Sequence, residues 1–347
     1  MTDLITGIQQ IGIGVQNAEA AKLFYKNNFG MATLVFDDIA EASLMTKYTG
    51  DSIHKRHAIL SLNMAGGGGF EIWQFLTRKA VYSTTEISFG AVGIFAAKIK
   101  SQNIYLSHKH FKSNKSLTAI TKTTDGRNHF WVQDEYKNWF NFIECNHWFK
   151  KNKTHCGGVC GAVIGVTNME KAINFYTNLL GTINIIYDKI EEDNNFNTTS
   201  KKKFRSVLLK KEANKKGAFA KLLGNLEIEL VQDLQEKRTP IYNNRYWGDC
   251  GFIHLCFDVI NMDLLKIQCE TAGYNFTVDS KNTFEMEGAS GRFCYIEDAD
   301  GTLIELVETH KVPILKKMGL YFNLKQQKAK RPLPNWIIAC MAFNKIK

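Results

Sequence analysis

Residues 11–30 read IGIGVQNAEAAKLFYKNNFG, and residues 162–181 read AVIGVTNMEKAINFYTNLLG. At a constant offset of 151, ten of these twenty positions are identical: Ile13/Ile164, Gly14/Gly165, Val15/Val166, Asn17/Asn168, Glu19/Glu170, Ala21/Ala172, Phe24/Phe175, Tyr25/Tyr176, Asn27/Asn178 and Gly30/Gly181. A repeat at this spacing divides the chain into two related halves before any single residue is interpreted. Both copies have the same local logic. Gln10 to Val15 alternates, with Ile11, Ile13 and Val15 on one side, which is a strand pattern. Asn17 is placed to cap a helix, and Glu19 lies in its first turn, where a carboxylate suits the helix dipole. Ala18, Ala21, Tyr25 and Phe29 then recur at helical spacing, and Gly30 stops the helix. The second copy predicts a strand to Val166, a cap at Asn168, a helix to Leu180 and a stop at Gly181.

Working outward, each half supplies further strands. Residues 58–62 and 70–75 flank the glycine-rich turn Gly66–Gly69, which reads as a hairpin connection. Residues 204–209 and 226–231 are their counterparts. A weaker copy of the same unit fills the rest of each half. Residues 92–99 and 252–259 are strand-like, and helical patterns follow at about 104–111 and 262–272. The closing segments are DEYKNWFNFIE at 134–144 and DADGTLIELVE at 298–308, where Asp134/Asp298 and Glu144/Glu308 agree at an offset of 164. The chain therefore reads as an α+β protein of four βαβββ modules. Residues 1–150 form a first half, 158–310 a second, and 311–347 a C-terminal extension expected to pack across a barrel or a partner.

Composition narrows the function classes. With 347 residues, 44% of them hydrophobic, the chain has the size and apolar content of two ordinary globular domains. No apolar run is long enough for a membrane span, and the N-terminus lacks a basic stretch followed by an apolar core. The eight cysteines are scattered; Cys156 and Cys160 are the one close pair, without a second pair to complete a zinc knuckle. Free thiols in a reducing cytoplasm are the expectation. The net charge of +10 comes from dispersed lysines, with clusters at 201–203, 210–211 and 215–216. No basic stripe is interleaved with stacking aromatics, so these are solvated faces and no nucleic-acid partner is expected. The charge is compatible with an acidic substrate or a thiol conjugate.

Openings of the form IGIGV…FYKNNFG and closings of the form YIEDADGTLIELVE resemble the vicinal oxygen chelate superfamily over about residues 5–310. That group includes glyoxalase I, methylmalonyl-CoA epimerase, extradiol dioxygenases and the bleomycin and fosfomycin resistance proteins. The resemblance implies two cupped, incomplete eight-stranded mixed β-barrels, each from a pair of modules, with a metal inside. The metal would sit on the first and last strands of paired modules. Carried over by position, the first-strand slots fall on Gln10, Ile94, Gly161 and His254. The last-strand slots fall on Glu71, Asn141, Glu229 and Glu305.

With modules paired inside each half, the resemblance implies one divalent metal (Zn²⁺, Fe²⁺, Ni²⁺, Co²⁺ or Mn²⁺) held by Glu229, His254 and Glu305, with Glu229 or Glu305 as the base. Gln10, Glu71 and Asn141 are left as a possible second site in a degenerate first half, with Trp73 on the face of Glu71. The activity implied is that of a glyoxalase-like lyase, isomerase or epimerase acting on a small oxo or hydroxy compound, in a monomer or homodimer. Two alternatives stand beside it. One is a non-haem Fe(II) dioxygenase of the extradiol or hydroxyphenylpyruvate type, from whose two-histidine, one-carboxylate set Gly161 departs. The other is a drug-binding resistance protein without turnover. A histidine on a strand and glutamates on a sheet with one wet face also have a purely structural reading. Tyr25 and Tyr176 read as core.

Overall fold

The computed structural model describes residues 3–151, 154–192, 202–281, 284–286, 288–324 and 331–346. Four modules follow one another. The first comprises β1 (Ile5–Gly14), α1 (Ala18–Phe29), β2 (Thr33–Glu41), β3 (Lys55–Leu62) and β4 (Gly69–Phe75). The second comprises β5 (Gly93–Ser101), α2 (Ile104–His110), β6 (Thr121–Lys122), β7 (Asn128–Gln133) and β8 (Trp139–Glu144). The third holds β9 (Val159–Gly165), α3 (Met169–Leu180), β10 (Asn184–Glu192), β11 (Lys203–Lys211), the short α4 (Ala220–Leu223) and β12 (Leu226–Asp233). The fourth holds β13 (Gly251–Val259), α5 (Met262–Thr271), β14 (Phe276–Asp279), β15 (Phe284–Met286), β16 (Ala289–Glu297) and β17 (Leu303–Leu315). Then come β18 (Leu320–Asn323) and α6 (Asn335–Cys340).

Each module helix starts in the same way. Asn17, Asn103, Asn168 and Asn261 stand just before α1, α2, α3 and α5, and each side chain accepts a hydrogen bond from the backbone three residues on. Gly30 ends α1 in the left-handed conformation, at φ 65°.

The sheets do not follow the halves. One runs β14-β16-β17-β13-β1-β4-β3-β2, with β15 on β16 and β18 on β17; the other runs β10-β11-β12-β9-β5-β8-β7-β6. Module 1 is thus joined to module 4 through the antiparallel β1–β13 pair, and module 2 to module 3 through β5–β9. The architecture is the expected pair of curled half-barrels, but the partnership is across the repeat and not within it. This is a correction with a direct consequence for the site, because the strands that meet at each seam set which side chains converge.

Alternation sorts the strand residues. One face of both sheets, with α1, α3 and α5, forms a common core that includes Ile11, Ile13, Tyr25, Phe29, Phe70, Phe140, Ile164, Tyr176, Leu255 and Ile304. The opposite faces line two separate cups. The 1/4 cup carries Phe36, Trp73, Trp247, Tyr295 and Met341, and the 2/3 cup carries Phe95, Ala96, Trp131 and Phe204. Tyr25 and Tyr176 are core residues, as their spacing predicts. Their hydroxyls donate to Asp134 (2.6 Å) and Asp298 (3.1 Å) in the next module, which accounts for the repetition of those two aspartates. The C-terminal extension lies against the 1/4 cup. β17 continues past residue 310 to Leu315, and the backbone of Asn344 and Ile346 bonds to Leu34 and Ala32 beside β2.

Candidate metal centre

The seam of the 1/4 cup brings four side chains together. Across β1 and β13, Gly12 stands opposite His254, and Gln10 opposite Cys256. On the parallel neighbours, Gly12 is level with Glu71 of β4, and Cys256 with Glu305 of β17. Strand twist and pleat turn Gln10, Glu71, His254 and Glu305 to the concave side. His254 Nε2 lies 3.1 Å from both Glu71 Oε2 and Glu305 Oε2. Gln10 Nε2 lies 3.4 Å from Glu71 Oε2 and 3.2 Å from Glu305 Oε2. His254 is fully buried, and the other three are nearly so.

Gly12 makes this approach possible: a Cβ there would fall 2.5 Å from His254 Cε1. Tyr295 Oη is 3.3 Å from His254 Nδ1, and the Trp247 ring stacks at 6.2 Å from the imidazole. A cavity of about 330 Å³ opens onto Gln10, Glu71 and Glu305, walled by Phe36, Trp73, Trp247 and Tyr295, within the range of small-molecule sites.

The sequence-derived trio is therefore not assembled. His254 and Glu305 meet, but their third partner is Glu71, with Gln10 beside it. Glu229 lies in the 2/3 cup, where Lys98 Nζ approaches Oε2 at 2.7 Å and the Tyr187 hydroxyl donates to Oε1 at 2.9 Å. Asn141 is there too, its amide donating to His129 Nδ1 at 2.9 Å.

Register also shows which positions correspond. Gly161, Glu229 and Asn141 occupy in the 2/3 cup the places of Gln10, Glu71 and Glu305. The counterpart of His254 is Ala96, which faces Val163 as His254 faces Gly12, and not Ile94. β5 ends at Ser101 where β13 ends at Val259, so Ile99 corresponds to Phe257, and counting back from Ile99 as if it were the strand end misplaces the slot by two residues. In place of a ligand set, the 2/3 cup holds the Lys98 ammonium between Glu227 (2.9 Å) and Glu229 (2.7 Å), with Arg127 on Glu227. Gly161 is required by crowding, since a Cβ would sit 2.4 Å from Glu227 O. The sequence signal for the buried ion set was a lysine inside an apolar strand (Lys98); Gly12 carried none, because it faces His254 only once the β1–β13 seam has formed.

Electrostatics separate the two carboxylates of the 1/4 cup. Burial opposes the charged form of Glu71, but His254, Arg56 and Gln10 hold it below the usual carboxylate range. Burial raises Glu305 to about 7, with His254 opposing and Glu71 adding to the rise. Burial alone would lower His254; the two carboxylates raise it.

A cation fits this set. Gln10 Oε1, a ligand atom, is buried without a hydrogen-bond partner among the described residues, and His254 Nε2 meets only the two carboxylate oxygens that would share a cation with it. Glu71, His254 and Glu305 each offer a donor within 4.8 Å of the others. A second cluster of this kind, Glu19/Asp37/His57, is more exposed and already holds the Lys22 ammonium on both carboxylates.

Residues 162–295 match the family model described as the Glyoxalase/Bleomycin resistance protein/Dioxygenase superfamily. Among solved structures, glyoxalase I from Zea mays superposes with a TM-score of 0.54 at 15% identity, covering 87% of this chain and 92% of that one. A putative dioxygenase from Bacillus subtilis subsp. subtilis str. 168 superposes equally well, at 0.54 and 13% identity, covering 88% and 86%. Comparison with curated protein sequences gives no match. The segment 162–295 thus matches this superfamily's pattern, and the chain as a whole has the vicinal oxygen chelate fold. No helix among the described residues is long and apolar enough to cross a membrane.

Proposed function

We propose that the chain is a glyoxalase-like, metal-dependent lyase or isomerase with a single site in the 1/4 cup, acting on a small α-oxo or α-hydroxy compound, free or as a thiol conjugate. The observation that carries this reading is the convergence of Gln10, Glu71, His254 and Glu305 on one buried point at the floor of a cavity. One imidazole, two carboxylates and one amide oxygen suit a divalent cation of the Zn²⁺, Ni²⁺, Co²⁺, Mn²⁺ or Fe²⁺ group. The set differs from the two-histidine, one-carboxylate triad of non-haem Fe(II) oxygenases, which favours proton transfer over oxygen chemistry. Such a cation polarises a carbonyl and stabilises negative charge developing on its oxygen.

The chain's own groups supply the rest. Glu305 takes and returns the proton at its carboxylate oxygen. It faces the cavity, and it lacks the arginine that lies near Glu71. Trp73, Trp247 and Phe36 exclude water and present flat apolar walls, so the reacting carbon meets Glu305 in a poorly solvated space. Arg56, held by Asp38 at 2.8 Å on the cavity wall, supplies positive charge beside Glu71.

The test has two arms. Elemental analysis of untagged protein is expected to find about one divalent metal per chain, lost in Glu71→Gln and His254→Ala and kept in Glu229→Gln. Exchange of the α-carbon proton with deuterated water, followed by NMR on a panel of α-oxo and α-hydroxy thiol conjugates, is expected to need Glu305. No metal after reconstitution with each cation would overturn the reading, as would loss of metal in Glu229→Gln with retention in Glu71→Gln.

A further inference from the structure

The 2/3 cup contains a pair of thiols that the site in the other cup does not use. Cys145 follows the end of β8 and is partly exposed; Cys160 lies in β9 and is buried; their sulfurs are 3.8 Å apart. We propose that Cys145 and Cys160 form a peroxide-responsive dithiol that is oxidised as a pair to an intramolecular disulfide.

Three observations place this chemistry here. First, Cys160 is the extra residue of a bulge. Lys98 pairs with Gly161 and Ile99 with Val159, so Cys160 has no cross-strand partner and its side chain is turned toward Cys145. Second, the other cup shows what these positions ordinarily do. There the corresponding residues are Gln9 and Thr309, joined by a 3.1 Å hydrogen bond, with Asp258 3.3 Å from Gln9. A hydrogen-bonded polar set has been replaced by two thiols and, in place of Asp258, by Lys100. Third, Lys100 is buried, and its ammonium has no hydrogen-bond partner among the described residues; it lies over the Trp148 ring at 5.3 Å. The Trp148 indole donates to Cys145 O at 2.7 Å, which fixes the ring beside the pair.

The environment makes the two sulfurs unequal. Contact with Cys160 holds the Cys145 thiol below its usual range against burial and the Glu227 carboxylate, with Lys100 and Arg127 assisting. The same contact, with burial, pushes Cys160 well up. A partly exposed thiol in contact with a buried one is the arrangement of an attacking and a resolving cysteine.

The Cys145 thiolate attacks a hydroperoxide oxygen, the O–O bond breaks, and the departing oxygen takes a proton to leave as water or an alcohol. Cys160 then attacks the sulfenic sulfur, the S–O bond breaks, and the departing hydroxide takes the Cys160 proton and leaves as water. Two thiols lose two electrons, and one hydroperoxide is reduced. The sulfurs must close to about 2.05 Å. They come from opposite sides of β5, and closure requires Cys145, one residue past the last β8 pair Ser101–Glu144, to shift against its backbone bond to Ser101 O at 3.1 Å.

The experiment is hydrogen peroxide titration of the full chain, read by thiol counting and non-reducing peptide mapping. One equivalent is expected to remove two of the eight thiols and to link the peptides holding Cys145 and Cys160. Cys340, the other partly exposed thiol, is an internal control expected to react about ten-fold more slowly or less. Cys160→Ser is expected to stop at a sulfenic acid on Cys145 that a dimedone probe traps. The proposal is overturned if Cys340 reacts as fast as Cys145, or if Cys145 oxidises without becoming linked to Cys160. Should the serine variant fold poorly, the wild-type map decides by itself. Neither result depends on metal in the 1/4 cup.

Discussion

His254 reaches two carboxylates because the residue across the seam is glycine, and its orientation is held by Tyr295. With Nδ1–H donated to the Tyr295 hydroxyl, the lone pair of Nε2 is left pointing between Glu71 and Glu305. In the 2/3 cup the register places Trp131 where Tyr295 stands, and the residue it faces is Ala96: histidine and hydroxyl are present together or absent together. Tyr295→Phe is therefore expected to weaken metal binding by about 10–100-fold without unfolding the chain. Competition with a chromophoric chelator measures this. An unchanged affinity would mean that packing on Trp247 alone sets the ring.

His129 gives a second prediction at this scale. Burial lowers its pKa to about 4, and it accepts the Asn141 amide as a neutral ring. A histidine depressed in the folded state contributes stability above its unfolded pKa of about 6.5 that is lost as pH falls toward 4, here roughly 3 kcal/mol. Urea midpoints at pH 7 and pH 4 are expected to differ less in His129→Gln than in the wild type. His155, lowered to about 4 by burial, keeps part of the dependence. Equal pH dependence in both proteins would count against this assignment.

Among the elements, β5 is the one whose sequence departs most from its role as a central strand. Both its neighbours are paired, yet it carries Lys98, 1% exposed, between Glu227 and Glu229. The ammonium occupies the floor of the 2/3 cup, as the proposed cation would occupy that of the 1/4 cup. Burial acts against the charge, and the two glutamates more than restore it, so its pKa is raised. Removing one member of a buried ion set strands the others, at a cost of about 3–5 kcal/mol. Lys98→Met is expected to lose stability of that order in denaturant unfolding. A loss below about 1 kcal/mol would mean that Arg127 balances the carboxylates without help. The four helices show the opposite case, in which local chemistry and final structure agree: each asparagine cap is legible from its own neighbours, because the bond it makes spans three residues.

At the scale of the whole molecule, neither half can complete a cup. Residues 1–150 supply β1–β4 to one sheet and β5–β8 to the other, and residues 158–310 supply the matching sides. Each fragment alone would leave two long central strand edges unpaired and the common core open. Fragments 1–150 and 158–347 are each expected to lack a cooperative unfolding transition when expressed singly and to regain one when co-expressed, with metal bound only by the complex. Calorimetry and metal analysis test this. A cooperative transition in either fragment alone would show that the halves fold independently.

The strand and helix periods, the asparagine caps and the glycine stop were all determined by short-range patterns in the sequence, since each rests on contacts within a few residues or on the pleat of one strand. Those patterns also marked Gln10, Glu71, His254 and Glu305 as polar groups in otherwise apolar strands. Which of them share a cup was decided only by the tertiary structure. Four modules of the same pattern offer equivalent edges, so nothing local distinguishes pairing within a half from pairing across the repeat. The β1–β13 and β5–β9 seams make that choice, and with it Glu71 takes the place read for Glu229. The true end of β5 at Ser101, two residues past Ile99, is equally invisible to counting, because Lys100 and Ser101 continue the strand only where a partner strand is there to pair with them.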